Sequence, residues 1–346
     1  MGARKVLITG GAGFVGCNLA DTLLRRGDEV ILFDNLSRRG VERNVEWLRQ
    51  RHGCGFRLMR ADVRDAEALA QAAAGTDVIF HLASQVAVTT SVADPRTDFE
   101  INALGTFNAL EAARAAKTNP IFVFASTNKV YGSMEDVAVV ERDSRYEYRD
   151  YPEGIAEDRP LDFHSPYGCS KGAGDQYVRD YHRIYGLPTI VFRMSCIYGP
   201  RQFGTEDQGW VAHFIISEVM GRPITIYGDG KQVRDILWVD DLVAAFVSAV
   251  EHIEITAGQV YNIGGGPKRA MSIWAEFHRI LASLLGRPVE AAAWGDWRPG
   301  DQPVYISDTR KAARDFGWQP TVSKEEGIQR LLEWVQDNRT LFEEQP

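Results

Sequence analysis

From Lys5 to Arg193, short apolar runs alternate with amphipathic stretches. The runs Lys5–Thr9, Glu29–Asp34, Phe56–Arg60, Asp77–Leu82, Ile121–Ala125 and Thr189–Arg193 have the length and side-chain types of buried strands. Val15–Arg26 and Pro166–Tyr185 carry apolar residues at helical spacing, and Pro95–Ala116 does so at its centre. Such alternation builds a parallel sheet with helices on both faces, so the predicted fold is α/β and doubly wound.

After Arg193 the pattern loosens. Tyr198-Gly199-Pro200, Gly228-Asp229-Gly230 and Gly264-Gly265-Gly266 punctuate it, and helices are predicted over Trp210–Met220, Val239–Glu251, Ser272–Leu285 and Ser323–Asp337. Residues 1–193 are therefore expected to form one domain, to which 236–265 return. Residues 194–235 and 266–346 are expected to form a smaller lobe over the carboxyl ends of the strands. Val140–Asp162, charged and rich in tyrosine, reads as a solvated surface insertion.

Composition narrows the class of partner. The chain has 346 residues, 45% hydrophobic and 25% charged, enough for a substantial core. With 39 basic and 47 acidic residues the net charge is −8, so no nucleic-acid partner is expected. No apolar run approaches membrane-spanning length and no basic-then-apolar leader opens the chain, so no membrane partner is expected either. Cys17, Cys54, Cys169 and Cys196 are scattered, without a CxxC pair or a His/Cys cluster. A reduced, cytoplasmic protein without a metal is the simplest reading.

The chemistry begins at Gly10-Gly11-Ala12-Gly13-Phe14-Val15-Gly16, which follows a predicted strand and opens a predicted helix. Glycines let backbone approach a pyrophosphate, and a helix N-terminus offers free N–H groups. This is the setting of a Rossmann-type dinucleotide site, with the glycines spaced one residue wider than the commonest pattern. Asp34 ends the second strand, where a carboxylate accepts hydrogen bonds from the adenosine ribose and repels a 2′-phosphate. NAD is thus expected over NADP, although Arg38 and Arg39 stand close by. Asp62 and Val63, past the third strand, suit the adenine edge.

Tyr167 and Lys171 lie four positions apart on a predicted helix, with Ser165 as expected N-cap and Pro166 as its first residue. That spacing puts both side chains on one face. A neighbouring ammonium and a cationic nicotinamide both favour a phenolate, so Tyr167 is expected to have a lowered pKa and to act as a base. Thr127, at the end of a predicted strand, is expected to be the hydroxyl that positions the substrate.

Together these motifs resemble the extended short-chain dehydrogenases/reductases, the NAD-dependent epimerase/dehydratase family of nucleotide-sugar enzymes, over nearly the whole chain. His81-Leu82-Ala83, Asn102-Ala103-Leu104-Gly105-Thr106, Tyr198-Gly199-Pro200-Arg201 and Arg234-Asp235 support the likeness. Within the family the chain is similar to the CDP-tyvelose (CDP-paratose) 2-epimerases. The similarity lies in Phe33-Asp34-Asn35-Leu36-Ser37-Arg38-Arg39-Gly40, Gln85-Val86-Ala87-Val88-Thr89-Thr90-Ser91, Ser126-Thr127-Asn128-Lys129-Val130-Tyr131-Gly132 and Leu161 through Gly172. It continues in Arg201-Gln202-Phe203 and Asp207-Gln208-Gly209-Trp210.

The resemblance implies a catalytic triad of Thr127, Tyr167 and Lys171. It implies an NAD site at Gly10, Gly13, Phe14, Val15, Asp34, Asn35, Ser37, Arg38, Asp62, Val63, Leu82 and Ala83, joined by Tyr167 and Lys171. A nucleotide-diphosphate hexose would be held by Gln85, Asn128, Lys129, Arg201, Arg234 and Arg298, the last in Arg298-Pro299-Gly300-Asp301. The reaction implied is transient oxidation at sugar C2 and return of hydride to the opposite face. A homo-oligomer, dimer or tetramer, is expected from the long helices around Pro95–Ala116 and Pro166–Tyr185. In the dehydratases of the family a carboxylate pair follows the triad hydroxyl; Asn128 and Lys129 stand there instead, which disfavours dehydration. Met194 and Cys196 depart from the more polar residues expected in tyvelose epimerases. A UDP-galactose-type 4-epimerase and a non-catalytic NAD-binding protein are the alternatives, and Asp34 counts against an NADPH reductase.

Overall fold

The computed structural model describes residues 2–298 and 301–343. At its centre are β1 (Lys5–Thr9), β2 (Glu29–Phe33), β3 (Phe56–Met59), β4 (Val78–His81), β5 (Ile121–Thr127) and the strands Thr189–Met194 and Gln259–Ile263. They form one parallel sheet in the order Gln259–Ile263, Thr189–Met194, β5, β4, β1, β2, β3. Successive side chains of a strand point to opposite faces, and here both faces are covered. Val6 and Ile8 of β1 join one apolar cluster with α1 (Phe14–Arg25) and the helix Val239–Glu251. Leu7, between them, joins another with the helices Ala66–Ala73 and Gly105–Ala115. The predicted α/β, doubly wound fold is the fold observed.

The order reverses between β1 and β4, because the chain runs outward through β2 and β3 and then returns to the other side of β1. Open parallel sheets leave a crevice at such a switch point, outside the carboxyl ends of the strands. Gly10 at the end of β1 and Leu82 at the end of β4 flank it.

A second group of elements stands beyond the sheet. Val233–Trp238 pairs with Cys196–Tyr198, Ala270–Ser272 and Val304–Tyr305. Helices Trp210–Met220, Phe277–Leu285 and Lys324–Asp337 close around Phe214, Ile215, Trp274, Phe277, Leu281, Ile328 and Leu331.

Three expectations are corrected. Pro95–Ala116 is a short helix, Pro95–Phe99, then a π-turn over Glu100–Leu104, then the helix Gly105–Ala115. The helix expected from Ser272 starts only at Phe277. Ser272 is taken by the strand, and its hydroxyl accepts from Glu276 N at 2.8 Å while Glu276 accepts from Ser272 N at 2.8 Å. The insertion Val140–Asp162 is not simply solvated. Its hairpin, Val139–Glu141 with Tyr146–Tyr148, docks through the Tyr148 hydroxyl on Val304 O (2.8 Å), and Ile155 is buried.

Beneath the carboxyl ends of the strands lies a buried ion pair. Asp175, on the helix Ser165–Tyr185, takes Arg193 Nε and Nη2 at 2.9 Å each, with side chains 0% and 2% exposed. Ser126 Oγ also donates to Asp175 at 2.8 Å, and Arg193 reaches the Tyr131 hydroxyl at 3.1 Å. Tyr131 donates to Asn262 Oδ1 at 2.7 Å, and Asn262 Nδ2 to Ile155 O at 2.7 Å. Asp175→Ala would strand a buried guanidinium, so it is expected to cost about 3–5 kcal/mol of folding stability. Urea unfolding measures this; a loss below about 1 kcal/mol would show that the pair holds nothing together.

Candidate active site

The glycine turn is built by close approach. Gly10 has φ of +68°, and a Cβ on it would sit 2.8 Å from Ala83 N. A Cβ on Gly16 would lie 2.3 Å from Gly10 O, so α1 rests directly on the turn. No side chain caps α1 and no acidic residue occupies its first turn; Gly13 N donates to Gly10 O at 3.0 Å, and Phe14 and Val15 open the helix with its dipole behind them. A pyrophosphate fits this cradle by charge and by room.

Asp34 is held by the backbone: Oδ2 accepts from Ala12 N at 3.0 Å and Oδ1 from Leu36 N at 2.8 Å. Burial pushes its carboxyl up, and those N–H groups and Arg38 push back. Asn35 donates to Asp62 Oδ2 at 2.8 Å, and Ser37 N donates to Asn35 Oδ1 at 3.0 Å. Asp62 is gripped by Arg64 at 2.9 Å, which brings it down to about 2. Val63 is buried, packs against Gly105 and accepts at its carbonyl from Asn108 Nδ2 at 3.1 Å. Leu82 N and Ala83 N bond to Thr9 O and Thr9 Oγ1 at 3.1 and 3.3 Å. His81, fully buried between the Thr9 and Thr106 hydroxyls, is neutral because burial carries it down to about 3.

Tyr167 and Lys171 share one face of the helix Ser165–Tyr185. Ser165 opens that helix with φ of +65° and accepts from Gly168 N at 3.2 Å, the capping contact expected of it, although it stands one position inside the helix. The Tyr167 hydroxyl meets that of Thr127, and Tyr167 N donates to Ser91 Oγ at 3.1 Å. Lys171 Nζ donates to Ala125 O at 2.6 Å and stands 4.4 Å from the centre of the Phe124 ring.

The electrostatics correct one expectation. Burial raises Tyr167 to about 12, against a smaller opposing pull from the Thr127 hydrogen bond. Burial lowers Lys171 to about 7, against Asp175 and Asp98. In this fold the lysine does not lower the phenol; both groups are driven towards neutrality by loss of water.

The expected sugar and phosphate residues divide. Asn128 Oδ1 accepts from Thr127 Oγ1 at 3.4 Å, and Lys129 N donates to Thr127 Oγ1 at 3.2 Å. Lys129 Nζ lies 3.6 Å from Asp301, which also holds Arg234 Nη2 at 2.5 Å. Arg298 bonds Glu206 O at 3.0 Å and covers the Tyr227 ring; its neighbours Pro299 and Gly300 lie outside the described residues. Two assignments are corrected. The Gln85 amide is spent on Ala87 and Asp98, so it orders its own loop. Arg201 is sandwiched between Trp47 and Trp334, at 4.7 and 5.5 Å, and fastens Lys324–Asp337 to the helix Val41–His52.

Sequence reasoning missed the polar group behind Lys171. Asp98 accepts from Ser170 Oγ at 2.5 Å and from Asn102 Nδ2 at 3.0 Å, all three buried. Its signal was Asp98 and Asn102 four apart in an otherwise helical stretch. Asp301 was also missed, although it stood in the motif quoted for Arg298.

The family model described as GDP-mannose 4,6 dehydratase matches residues 7–331. The chain belongs to the NAD-dependent epimerase/dehydratase family of extended short-chain dehydrogenases/reductases. It is 42% identical to the CDP-paratose 2-epimerase of Salmonella typhi, over 96% of this chain and 99% of that protein. It is 34% identical to the UDP-glucose 4-epimerase of Mycolicibacterium smegmatis, over 96% and 99%. Among solved structures, the dTDP-glucose 4,6-dehydratase DesIV of Streptomyces venezuelae, a double mutant with NAD and DAU bound, superposes with a TM-score of 0.83 at 31% identity, covering 97% of this chain and 98% of that one.

Burial alone makes a titration prediction. In cofactor-free protein the tyrosinate absorbance difference between wild type and Tyr167→Phe is expected to stay flat up to about pH 10. Phenolate appearing near pH 7 would show that the protein lowers Tyr167 unaided.

Proposed function

We propose that the protein is an NAD-dependent nucleotide-sugar 2-epimerase acting on a CDP-paratose-type substrate. The observation that carries the reading is the Thr127–Tyr167–Lys171 site, flanked by Asn128 and Lys129 rather than carboxylates, in a chain 42% identical end to end with a CDP-paratose 2-epimerase. Water elimination needs an acid and a base beside the triad; the Asn128 amide is neither, and Lys129 alone does not supply both.

The cradle of Gly10, Gly13, Phe14 and Val15 would hold the NAD pyrophosphate, Asp34 its adenosine ribose, and Lys171 its nicotinamide ribose. Bound NAD supplies the acceptor and later the donor of the hydride at C2, and a cationic ring close to the phenol. Thr127 steadies the Tyr167 hydroxyl, so the phenol stays aimed at one substrate oxygen. Tyr167 as phenolate takes the proton of the C2 hydroxyl as the carbon loses its hydride, and the sugar becomes a 2-ketone. The flat ketone turns over, and Tyr167 returns the proton to the same oxygen as hydride re-enters on the other face. Asn128 and Lys129 hold the sugar during the turn. Residues 194–235 and 266–346 form the lobe that carries the nucleotide, with Arg234 and Arg298 on its diphosphate.

The active unit is a homo-oligomer. Phe99, Phe107, Tyr177, Ile184 and Tyr185 stand exposed on Pro95–Ala115 and Ser165–Tyr185, with the Phe107 and Tyr177 rings 6.0 Å apart. Exposed apolar side chains on two neighbouring helices suit a second copy of the same surface.

Two experiments follow. Incubation with CDP-paratose in deuterated water, read by proton NMR, is expected to give inversion at C2 without deuterium there, and Tyr167→Phe is expected to lower kcat by about 10²–10⁴-fold. Inversion at C4 instead would identify a 4-epimerase using the same triad, and deuterium at C2 would replace hydride transfer by proton abstraction. Light scattering is expected to show at least a dimer that Tyr177→Glu with Ile184→Glu converts to monomer; a monomeric wild type would end the oligomer reading.

A further inference from the structure

The cluster of Lys129, Asp301 and Arg234 joins the two halves of the proposed site. Lys129 follows β5 and is tied by its backbone to the Thr127 hydroxyl. Arg234 lies on Val233–Trp238, buried to 6% exposure, with Nη1 on Val233 O at 2.7 Å. One oxygen, Asp301 Oδ1, serves both: 2.5 Å to Arg234 Nη2 and 3.6 Å to Lys129 Nζ. The Cys196 thiol, pushed up by burial, lies beside the same two cations. Burial pushes the Asp301 carboxyl up, but Arg234 and Lys129 outweigh it and hold it below its ordinary value. Lys129 is drawn down chiefly by burial, and Asp301 opposes this.

We infer that Asp301 is a positioning residue that is shared between Arg234 and Lys129, so that capture of the nucleotide diphosphate at Arg234 releases Asp301 to Lys129 and sets the ammonium against the sugar beside Thr127. This rests on the 2-epimerase reading. Two cations facing one carboxylate leave a single positive charge, and an arriving diphosphate competes with Asp301 for Arg234. Once the diphosphate has won, Lys129 is the one cation left to Asp301, whose Oδ1 also accepts from Gln302 N at 3.1 Å. A substrate without its diphosphate therefore leaves Asp301 divided between the two cations, which ties turnover to the nucleotide handle.

The test separates affinity from turnover. NAD-loaded wild type, Asp301→Asn, Lys129→Met and the double variant are titrated with CDP by calorimetry and assayed with CDP-paratose. Asp301→Asn removes the competitor for Arg234, so it is expected to bind CDP roughly threefold to tenfold more tightly while kcat falls by at least about tenfold. Lys129→Met leaves Asp301 wholly to Arg234, so CDP binding weakens and kcat falls. Because Asp301 acts on turnover through Lys129, kcat of the double variant is expected to equal that of Lys129→Met alone. A role confined to folding would weaken CDP binding and lower the melting temperature in Asp301→Asn, and that result overturns the inference. So does unchanged CDP affinity, or a double variant whose kcat loss is the product of the single losses. If wild type binds none of CDP, GDP and UDP, the function proposed above falls with it, whereas normal binding unaffected by Asp301→Asn removes only this inference.

Discussion

A charged pair taken fully out of water holds only where other hydrogen bonds share its charge. Asp175 and Arg193 have them: two parallel N–H···O contacts at 2.9 Å, a serine hydroxyl on the carboxylate and a tyrosine hydroxyl on the guanidinium. The network ties the helix that bears Tyr167 and Lys171 to two strands, to the turn after β5 and, through Asn262, to Ile155 of the insertion. Ile155 N in turn donates to Ile306 O at 2.8 Å, next to Val304–Tyr305, so the chain of hydrogen bonds reaches the second group of elements. Apolar packing could supply the stability; it would not fix the helix to one rotational setting so narrowly.

The same dehydration governs the reactive groups. Tyr167 and Lys171 sit where water is scarce, and each is pushed away from its charged form. A site in that condition stores an unmet demand for charge. Whatever cation or anion enters changes the protonation of its neighbours far more than it would in water. Asp175 and Asp98 oppose the push at the lysine, since both carboxylates favour its charged form.

Features set by a few neighbouring residues were legible in the sequence. The Gly10–Gly16 turn, Asp34 at a strand end and the Tyr167/Lys171 spacing depend on local geometry, and the strands follow from short apolar runs. What failed depends on residues far along the chain. Gln85 is absorbed by Asp98, and Arg201 by Trp47 and Trp334; long polar side chains choose among partners that only the tertiary fold brings near. Tyr146 and Tyr148 looked like surface tyrosines because the strand they lie against, Val304–Tyr305, is so distant. The start of the helix after Ser272 was misread because a strand and a reciprocal Ser272–Glu276 turn outcompeted a good helical pattern.

The π-turn over Glu100–Leu104 has an implication for how such a chain can change. Each widened turn holds one more residue than a regular helix would, so it works as a phase shift between two helical halves. Asp98 before it and Asn102 within it point towards Ser170; Phe107, after it, points outward. Removing a single residue there would preserve both halves as helices while turning one against the other by roughly a hundred degrees. The inward polar pair and the outward aromatic could not both keep their faces. For this stretch, length is therefore constrained more tightly than composition, and substitutions are easier to absorb than any insertion or deletion.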